Sequence, residues 1–422
     1  MDVTLKADGR GARAETRCRE LSRAPYSEEA DKLTRRFLTP EHRATIDRIS
    51  VWMREAGMEP RVDAAGSLVA RWEGATANAP ALVFGSHVDS VRDAGVYDGM
   101  LGVLLGLAVV ETVRAAGRQF PFAIEVVGFG DEEGSRFQAA MNGSRAFASR
   151  LDVDAALAAT DRDGLTLAEA MTAFGLDPSR IAEAGRGLGT LLAFVEPHIE
   201  QGPVLEAQGV ALGVVTSIAG QWRLKVRYTG QAGHAGTTPM HLRRDPLIAA
   251  AEAVLVIERI AAEGPEGLVA TVGQIGVKPG APNVIPGVAE FTVDVRAGVD
   301  AVRDRGLAEI EDVLREIAAD RKLGLEIERV QNLPATEMDG RLRGLLSAAA
   351  AMKGQAASDL VSGAGDDAMI LARLAPAAML FIRCEGGVSH NPAEAVTPDD
   401  CEAALDVLLA FVELYAAEFG GE

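Results

Sequence analysis

Residues 122–134 read FAIEVVGFGDEEG, a nearly continuous apolar run followed at once by three acidic residues. An apolar run of this length is typical of a strand buried on both faces, as the strands of parallel sheets are. A second run, Ala81–Gly85, leads in the same way towards His87. In α/β sheets the chemistry lies on loops beyond the carboxyl ends of the strands. We therefore expect His87, Glu132 and Glu133 to meet at one edge of a sheet.

Helical patterns alternate with these strands, which indicates an α/β fold. The pattern changes after Gly213, where the predicted order becomes β-α-β-β-α-β. The elements predicted there are strands at 221–228, 268–275, 288–295 and 324–330 and helices at 246–262 and 300–320. We interpret residues 213–329 as an inserted domain. It separates a first catalytic segment, residues 1–212, from a second, residues 330–422.

Length and charge limit the classes of function. The 422 residues exceed what one core usually holds, so two domains are expected. The net charge is −19 and no stripe rich in Lys and Arg is visible, which argues against nucleic acid and against an anionic membrane surface as partners. A small anionic substrate stays possible, because a few arginines can hold it. The longest apolar run, around residues 103–110, is too short to span a bilayer.

The cysteines and the N-terminus indicate a reducing compartment, and we expect the cytoplasm. Cys18, Cys384 and Cys401 are widely spaced and form neither a disulfide framework nor a CxxC zinc motif. The N-terminal stretch lacks the apolar region of a signal peptide and is not poor in acidic residues, as transit peptides are.

The histidines and carboxylates together predict a metal centre. Four of the six histidines lie in predicted loops rich in glycine, proline or carboxylate rather than on helix faces. The prolines around His198 and the glycines around His390 favour rigid loops there. Combined with Asp98 and the pair Glu132-Glu133, they suffice for two metal ions that share a carboxylate. One glutamate is then left to activate water. The mixed His and carboxylate ligands suit Zn²⁺, Mn²⁺ or Co²⁺.

Spacing alone leaves some roles open. Asp89, two residues after His87, either accepts the second ring N–H of that histidine or only caps a turn. Successive side chains of an extended segment point apart, so one of Glu132 and Glu133 binds metal and the other faces the water. We assign Glu133 to the metal and Glu132 to the general base. Arg296 follows a predicted strand, where it suits a substrate carboxylate or forms a surface salt bridge.

Two other classes of function fit the sequence less well. A non-catalytic binding protein that has lost its metals is disfavoured by the intact set of ligands. A dinucleotide-binding oxidoreductase is suggested by VGFG at residues 127–130. However, the next glycine, Gly134, comes one place late for GxGxxG, and two acidic residues stand where a pyrophosphate would lie.

The sequence resembles the amidase/carbamoylase branch of the M20 dinuclear metallopeptidase family. That branch includes allantoate amidohydrolases, N-carbamoyl-L-amino-acid hydrolases and β-ureidopropionases. The matching motifs, between residues 85 and 394, are GSHVDS, YDG, DEEGSRF, EPHIEQGP, GHAGTTPM with RRDP, PGAPNVIP, DVR, SGAGDDA and GGVSHNPAE. The resemblance implies a metallopeptidase-like α/β catalytic domain with an inserted ferredoxin-like α+β domain that serves as dimerisation or lid domain.

The resemblance also implies roles for particular residues. His87 and His198 would bind one metal ion, Glu133 and His390 the other, and Asp98 would bridge the two. Glu132 would be the general base. On the substrate side, His234 would reach the scissile carbonyl from the partner subunit of a homodimer. Arg296 and Asn283 would bind substrate, and Gln201 would lie near the carbamoyl group. Asn283 alone could equally be a turn residue.

The implied reaction is hydrolysis of a ureido C–N bond in a small anionic substrate. Residues 381–390 resemble allantoate amidohydrolases more than carbamoylases, so allantoate is the expected substrate and N-carbamoyl-L-amino acids are the alternative. Two departures from the family pattern stand out. Asp366, followed by Asp367, occupies a position where histidine is expected, and Asp93-Ala94-Gly95 replaces a Gly-Gly pair before the YDG motif.

Overall fold

Two apolar runs of the sequence form neighbouring strands in the computed structural model, which describes residues 5–137 and 139–419. The chain divides into two compact units. The first comprises the chain up to Val215, Met338–Leu360 and the chain from Asp366 onward. The second comprises Thr216–Glu337 and Val361–Gly365. The last long strand of the second unit continues to Leu333, so the expected boundary at residue 329 lies inside a strand.

The described strands are β1 Glu59–Val62, β2 Leu68–Trp72, β3 Ala81–His87, β4 Ala123–Phe129, β5 Leu191–Ile199, β6 Leu212–Ile218, β7 Gly220–Thr229, β8 Gly233–His234, β9 Val269–Thr271, β10 Ile275–Lys278, β11 Val284–Ile285, β12 Val288–Ala297, β13 Gly324–Leu333, β14 Thr336–Glu337, β15 Ala357–Ser362 and β16 Ala377–Ile382. The α-helices are α1 Arg10–Glu20, α2 Pro40–Glu55, α3 Met100–Ala115, α4 Asn142–Phe147, α5 Val153–Ala158, α6 Leu167–Phe174, α7 Val204–Gln208, α8 Pro246–Glu263, α9 Asp300–Asp320, α10 Gly340–Met352, α11 Ala368–Leu371 and α12 Pro398–Phe419. Short 3₁₀ turns lie at Pro178–Ala184, Met240–Leu242 and Glu385–Gly387.

The first unit is built on a mixed sheet in which β1, β2, β4, β3, β5, β16 and β6 follow one another. The four central strands β4, β3, β5 and β16 are parallel, and β2 and β6 flank them antiparallel. β3 and β4 are buried at every position, and α3 is buried over most of its length. The expected α/β fold is confirmed, with four parallel carboxyl ends side by side.

The second unit is a separate antiparallel sheet with the order β10-β12-β7-β13, and β9 also pairs with β12. Helices α8 and α9 pack their apolar residues against β7 and β12, around Tyr228 and Phe291. The opposite face is more polar, as the alternating burial along β12 shows. The expected order of elements is confirmed, except that the strand predicted at 268–275 is two strands, β9 and β10, separated by a stretch that contains Gly273.

All three cysteines are described, and all three are free and buried. Among the described helices, none is both long enough and apolar enough to cross a membrane. The cytoplasmic location stays a prediction.

Close packing of α3 on the sheet generates a prediction about Gly102. A Cβ at this position would overlap the carbonyl oxygen of Pro197, the residue before His198. Gly102→Ala should therefore destabilise the protein by about 1–3 kcal/mol through overpacking. Thermal unfolding monitored by circular dichroism measures the effect.

Gly344→Ala is the matched control, because Gly344 lies in α10 with nothing within 4 Å of the added Cβ. It should leave the unfolding midpoint unchanged or raise it, since Ala in a helix is favoured over Gly by about 0.5–1 kcal/mol. Equal effects of the two substitutions would contradict the packing argument.

Candidate metal centre

The four parallel strands deliver the predicted ligands to one edge of the sheet. β3 ends at His87, and β4 leads into Glu132 and Glu133. β5 carries His198 as its penultimate residue, and β16 leads into the loop that contains His390. The residues come from distant parts of the chain, and the sheet order brings them together.

His198 lies in a strand, whereas the surrounding prolines favoured a loop in the sequence. It pairs with Phe381 of β16. The pairing of β5 with β3 ends at Val195, so Pro197 lies where the strand has a partner on one side only. Proline is tolerated at such positions because no ladder hydrogen bond is lost.

Asp98 lies at the centre of the cluster, in the segment between β3 and α3. Its Oδ1 lies 3.2 Å from Nε2 of His198 and 3.7 Å from Nε2 of His87. Its Oδ2 lies 3.1 Å from Nε2 of His390, which in turn lies 3.5 Å from Oε1 of Glu133. The two oxygens of one carboxylate therefore face two separate groups of candidate ligands.

The residues present fit two metal ions. Oδ1 of Asp98 and Oε1 of Glu133 are buried without a hydrogen-bond partner, which is costly unless a cation occupies the space beside them. Ligand atoms around a tetrahedral ion lie about 3.3 Å apart, close to the distances observed here. Among the residues that the structure describes, three sets offer ligand atoms that lie within 4.8 Å of one another inside each set: His87, Asp98 and His198; Asp98, Glu133 and His390; and His87, Glu132 and Glu133.

The two buried imidazoles are oriented by main-chain carbonyls. Nδ1 of His87 lies 2.9 Å from the carbonyl oxygen of Asp89, and Nδ1 of His198 lies 2.9 Å from that of Ile199. A carbonyl oxygen only accepts, so each Nδ1 carries a proton and each Nε2 is left to face Asp98.

The sequence suggested that the carboxylate of Asp89 accepts the second ring N–H of His87. In the structure the main-chain carbonyl of Asp89 accepts it. The carboxylate instead accepts the main-chain N–H groups of Glu132 at 3.1 Å and Glu133 at 3.3 Å. It is buried, and it fastens the acidic loop after β4 to the segment that follows His87.

Gly99 allows Asp98 to approach His87. Its φ is +66°, a left-handed conformation that favours glycine, and a Cβ there would overlap the His87 ring. The close approach of Asp98 to His87 therefore depends on glycine at position 99.

Burial dominates the electrostatics of the acidic loop. It raises the pKa of Glu132 well above its usual range, with Asp367, Glu133 and Asp366 adding to the shift and His87 opposing it. Burial and the charge of Asp98 raise the pKa of Glu133 to about 7. Asp98 is the opposite case: burial alone would raise its pKa, but nearby His198, His390 and His87 outweigh burial in their protonated forms and hold the pKa well below the usual range.

Asp366 and Asp367, which depart from the expected motif, are both buried. Burial raises the pKa of Glu196 to about 8, and the charges of Asp367 and Asp366 add to the shift. Glu196 accepts hydrogen bonds from Ser86 Oγ and from the main-chain N–H of Ala368, both at 2.8 Å. The departure therefore adds acid to an already acidic, buried region beside the candidate ligands.

Gln201 lies against the bridging carboxylate. Its Nε2 donates to Oδ2 of Asp98 and to Oγ of Ser389, both at 3.1 Å. In this arrangement its amide orients Asp98, and a contact with the carbamoyl group stays a prediction.

In the second unit, His234 and Asn283 are exposed neighbours. His234 of β8 pairs with Val284 of β11, and the main-chain N–H of Ala235 donates to the carbonyl of Asn283. Nδ1 of His234 accepts the N–H of Gly236 at 3.1 Å. In neutral His234 the proton is therefore on Nε2, which is available as a donor.

Arg296, also in the second unit, already has partners. Its Nε and Nη2 donate to the two oxygens of Asp294 at 2.7 and 3.3 Å, and its Nη1 donates to the carbonyl of Gly363 at 2.6 Å. A substrate carboxylate would have to share or replace one of these contacts.

The sequence assigned no role to Glu394, although the residue lies in a quoted motif, four places after His390. It is buried and accepts the main-chain N–H groups of Tyr97 and Asp98. A carboxylate so close to a predicted ligand was the available signal.

Comparisons with known proteins agree with this geometry. The model of peptidase family M20/M25/M40 matches residues 83–414. An N-carbamoyl-L-amino acid amidohydrolase from Geobacillus stearothermophilus is 44% identical over 376 residues, which cover 89% of this chain and 91% of the relative. A probable allantoate deiminase from Oryza sativa subsp. japonica is 38% identical over 434 residues, 95% of this chain and 88% of the relative.

A solved structure is similar over nearly the whole chain. The crystal structure of a hydantoinase/carbamoylase family amidase from Burkholderia ambifaria has a TM-score of 0.89 at 39% sequence identity, and the match covers 96% of this chain and 97% of that one. The chain therefore belongs to peptidase family M20/M25/M40, in its hydantoinase/carbamoylase branch of metal-dependent amidohydrolases that act on C–N bonds.

Proposed function

We propose that this protein hydrolyses the C–N bond of a carbamoyl (ureido) group with the help of two divalent metal ions. His87, His198 and Oδ1 of Asp98 would hold one ion, and Glu133, His390 and Oδ2 of Asp98 the other. The observation that carries the proposal is the placement of Asp98, whose two oxygens face these two groups at 3.1–3.7 Å.

When bound, such ions polarise the carbonyl group and lower the pKa of water. The chain's own residues supply the proton transfers. Glu132 accepts a proton from the attacking water and returns it to the leaving nitrogen, and its burial favours the uptake. The N–H at Nε2 of His234 donates to the carbonyl oxygen as negative charge develops on it. The carbamate released then decomposes to carbon dioxide and ammonia.

We propose allantoate as the substrate, with N-carbamoyl-L-amino acids as the second candidate. The segment 381–390 supports allantoate, and the Geobacillus relative, an N-carbamoyl-L-amino acid amidohydrolase, supports the alternative. Both substrates carry a carboxylate, for which Arg296 and Asn283 are the proposed binding residues. Zn²⁺, Mn²⁺ and Co²⁺ all suit the ligands.

A substrate panel tests the proposed function. Protein reconstituted separately with Mn²⁺, Zn²⁺ or Co²⁺ is assayed for ammonia release from allantoate, several N-carbamoyl-L-amino acids and, as controls, dipeptides. We expect turnover of at least one ureido substrate, fastest for allantoate, no cleavage of dipeptides, and loss of activity on chelation. Full activity in rigorously metal-free protein would refute the proposal.

The assignment of the two glutamates predicts different outcomes for Glu132→Gln and Glu133→Gln. Glu132→Gln should keep two ions per chain but lose turnover by about 10²–10⁴-fold, because an amide does not accept the proton. Glu133→Gln, its matched control, should lose one ion. Metal analysis together with steady-state kinetics distinguishes the two variants. If Glu132→Gln loses an ion and Glu133→Gln keeps both, the roles of the two glutamates are the reverse of those proposed.

We propose further that the second unit forms a homodimer. Its edge strands β9 and β10 and helix α8 expose large apolar side chains, Val269, Ile275, Ile248 and Leu255. Exposed sheet edges and apolar patches are typical of protein interfaces. In the proposed dimer His234 completes the site of the partner subunit.

Subunit exchange tests this arrangement. Glu132→Ala and His234→Ala homodimers should each be nearly inactive. After exchange, about half of the dimers are mixed, and each mixed dimer has one site with both residues intact, so activity should recover to roughly a quarter of the parent's. If exchange is verified by native mass spectrometry and activity stays at the level of the variants, His234 acts within its own subunit.

A further inference from the structure

Glu394 links two segments that carry candidate ligands. Its Oε1 accepts the main-chain N–H of Tyr97 at 2.7 Å and that of Asp98 at 3.1 Å. Its Oε2 accepts the hydroxyl of Ser389, next to His390, at 2.9 Å. The side chain is buried, and the mechanism proposed above gives it no part.

The hydroxyl of Ser389 has two competing acceptors. Its Oγ lies 2.9 Å from Oε2 of Glu394 and 3.5 Å from Oδ2 of Asp98, and it receives the amide of Gln201 at 3.1 Å. A hydroxyl has a single proton to donate, and it donates to the closer acceptor, Glu394. Glu394 therefore draws this proton away from Oδ2 of Asp98, which leaves a lone pair of that oxygen free.

Gly95 provides the space for Glu394. A Cβ on Gly95 would overlap the Glu394 carboxylate. The segment Asp93-Ala94-Gly95, which departs from the expected Gly-Gly, thus retains glycine at the position where the carboxylate needs it.

We propose that Glu394 is a positioning residue for the second ion. It fixes the main chain of Asp98 and keeps the Ser389 proton off Oδ2, so that Oδ2 can join Glu133 and His390 around a cation. This inference rests on the proposed two-metal function.

Glu394→Gln tests the inference with a side chain of the same shape. The amide oxygen can still accept the N–H groups of Tyr97 and Asp98, but the amide nitrogen donates to Ser389. The only proton of Ser389 then turns to Oδ2 of Asp98. We expect the second ion to bind about 10–100-fold more weakly and the first ion as in the parent. Calorimetric titration of Mn²⁺ into chelator-treated protein measures both affinities.

A second substitution separates positioning from general structural damage. Adding Ser389→Ala to Glu394→Gln removes the competing proton, so the affinity for the second ion should return most of the way to the parent's. A residue with a merely structural role would not be rescued in this way. If Glu394→Gln fails to fold, Gly95→Ala, which pushes the Glu394 carboxylate aside, should give the same selective weakening.

Asp63→Asn is the matched control, because Asp63 is also buried and its Oδ1 accepts two main-chain N–H groups, from Ala65 and Ser67, both at 2.9 Å. It should bind both ions with the parent's affinities, whatever its stability. If the parent itself binds fewer than two ions, the proposed function fails. If the parent binds two and Glu394→Gln binds both equally tightly, or if Ser389→Ala gives no rescue, the inference about Glu394 is overturned.

Discussion

The buried carboxylate of Asp98 is the constraint around which the candidate site is arranged. Burying a charge is costly unless opposite charges or hydrogen bonds compensate it. When no metal is bound, the protonated forms of His87, His198 and His390, whose pKa values are all raised, and the amide of Gln201 supply that compensation. The pKa of Asp98 therefore lies well below its usual range, and its carboxylate stays ionised. An ionised carboxylate can be shared between two cations.

The sheet makes this arrangement possible. Parallel strands place their carboxyl ends at one edge, and the order β4-β3-β5-β16 places the ligands of four segments beside one another there. The supporting contacts then set their orientation: the carbonyls of Asp89 and Ile199 hold the two imidazoles, and the Asp89 carboxylate holds the acidic loop. Ligands on a rigid frame, held by a further layer of hydrogen bonds, are what tight metal binding requires.

Local patterns were enough to predict the α/β fold, the order of elements in the insert and the residues that cluster around Asp98. Apolar runs, and histidines close to glycine, proline or acidic residues, are visible in a short window of the sequence. Helix α9 was predicted in the same way, with its observed bounds. Contacts between distant segments are not visible in this way. The main-chain role of Asp89, the contact of Gln201 with Asp98 and the hydrogen bonds of Glu394 depend on which strand lies beside which. The prediction of a loop at His198 was wrong because of Pro197. A proline is tolerated in β5 at this point only because the pairing with β3 has already ended, and the sequence does not show where that pairing ends.

Anomalous diffraction from crystals of the Mn²⁺- or Zn²⁺-loaded protein tests the central claim most directly. Two peaks about 3.5–4 Å apart should flank Asp98, one beside His87 and His198 and the other beside Glu133 and His390. A single peak, or two peaks that do not share the carboxylate of Asp98, would contradict the account.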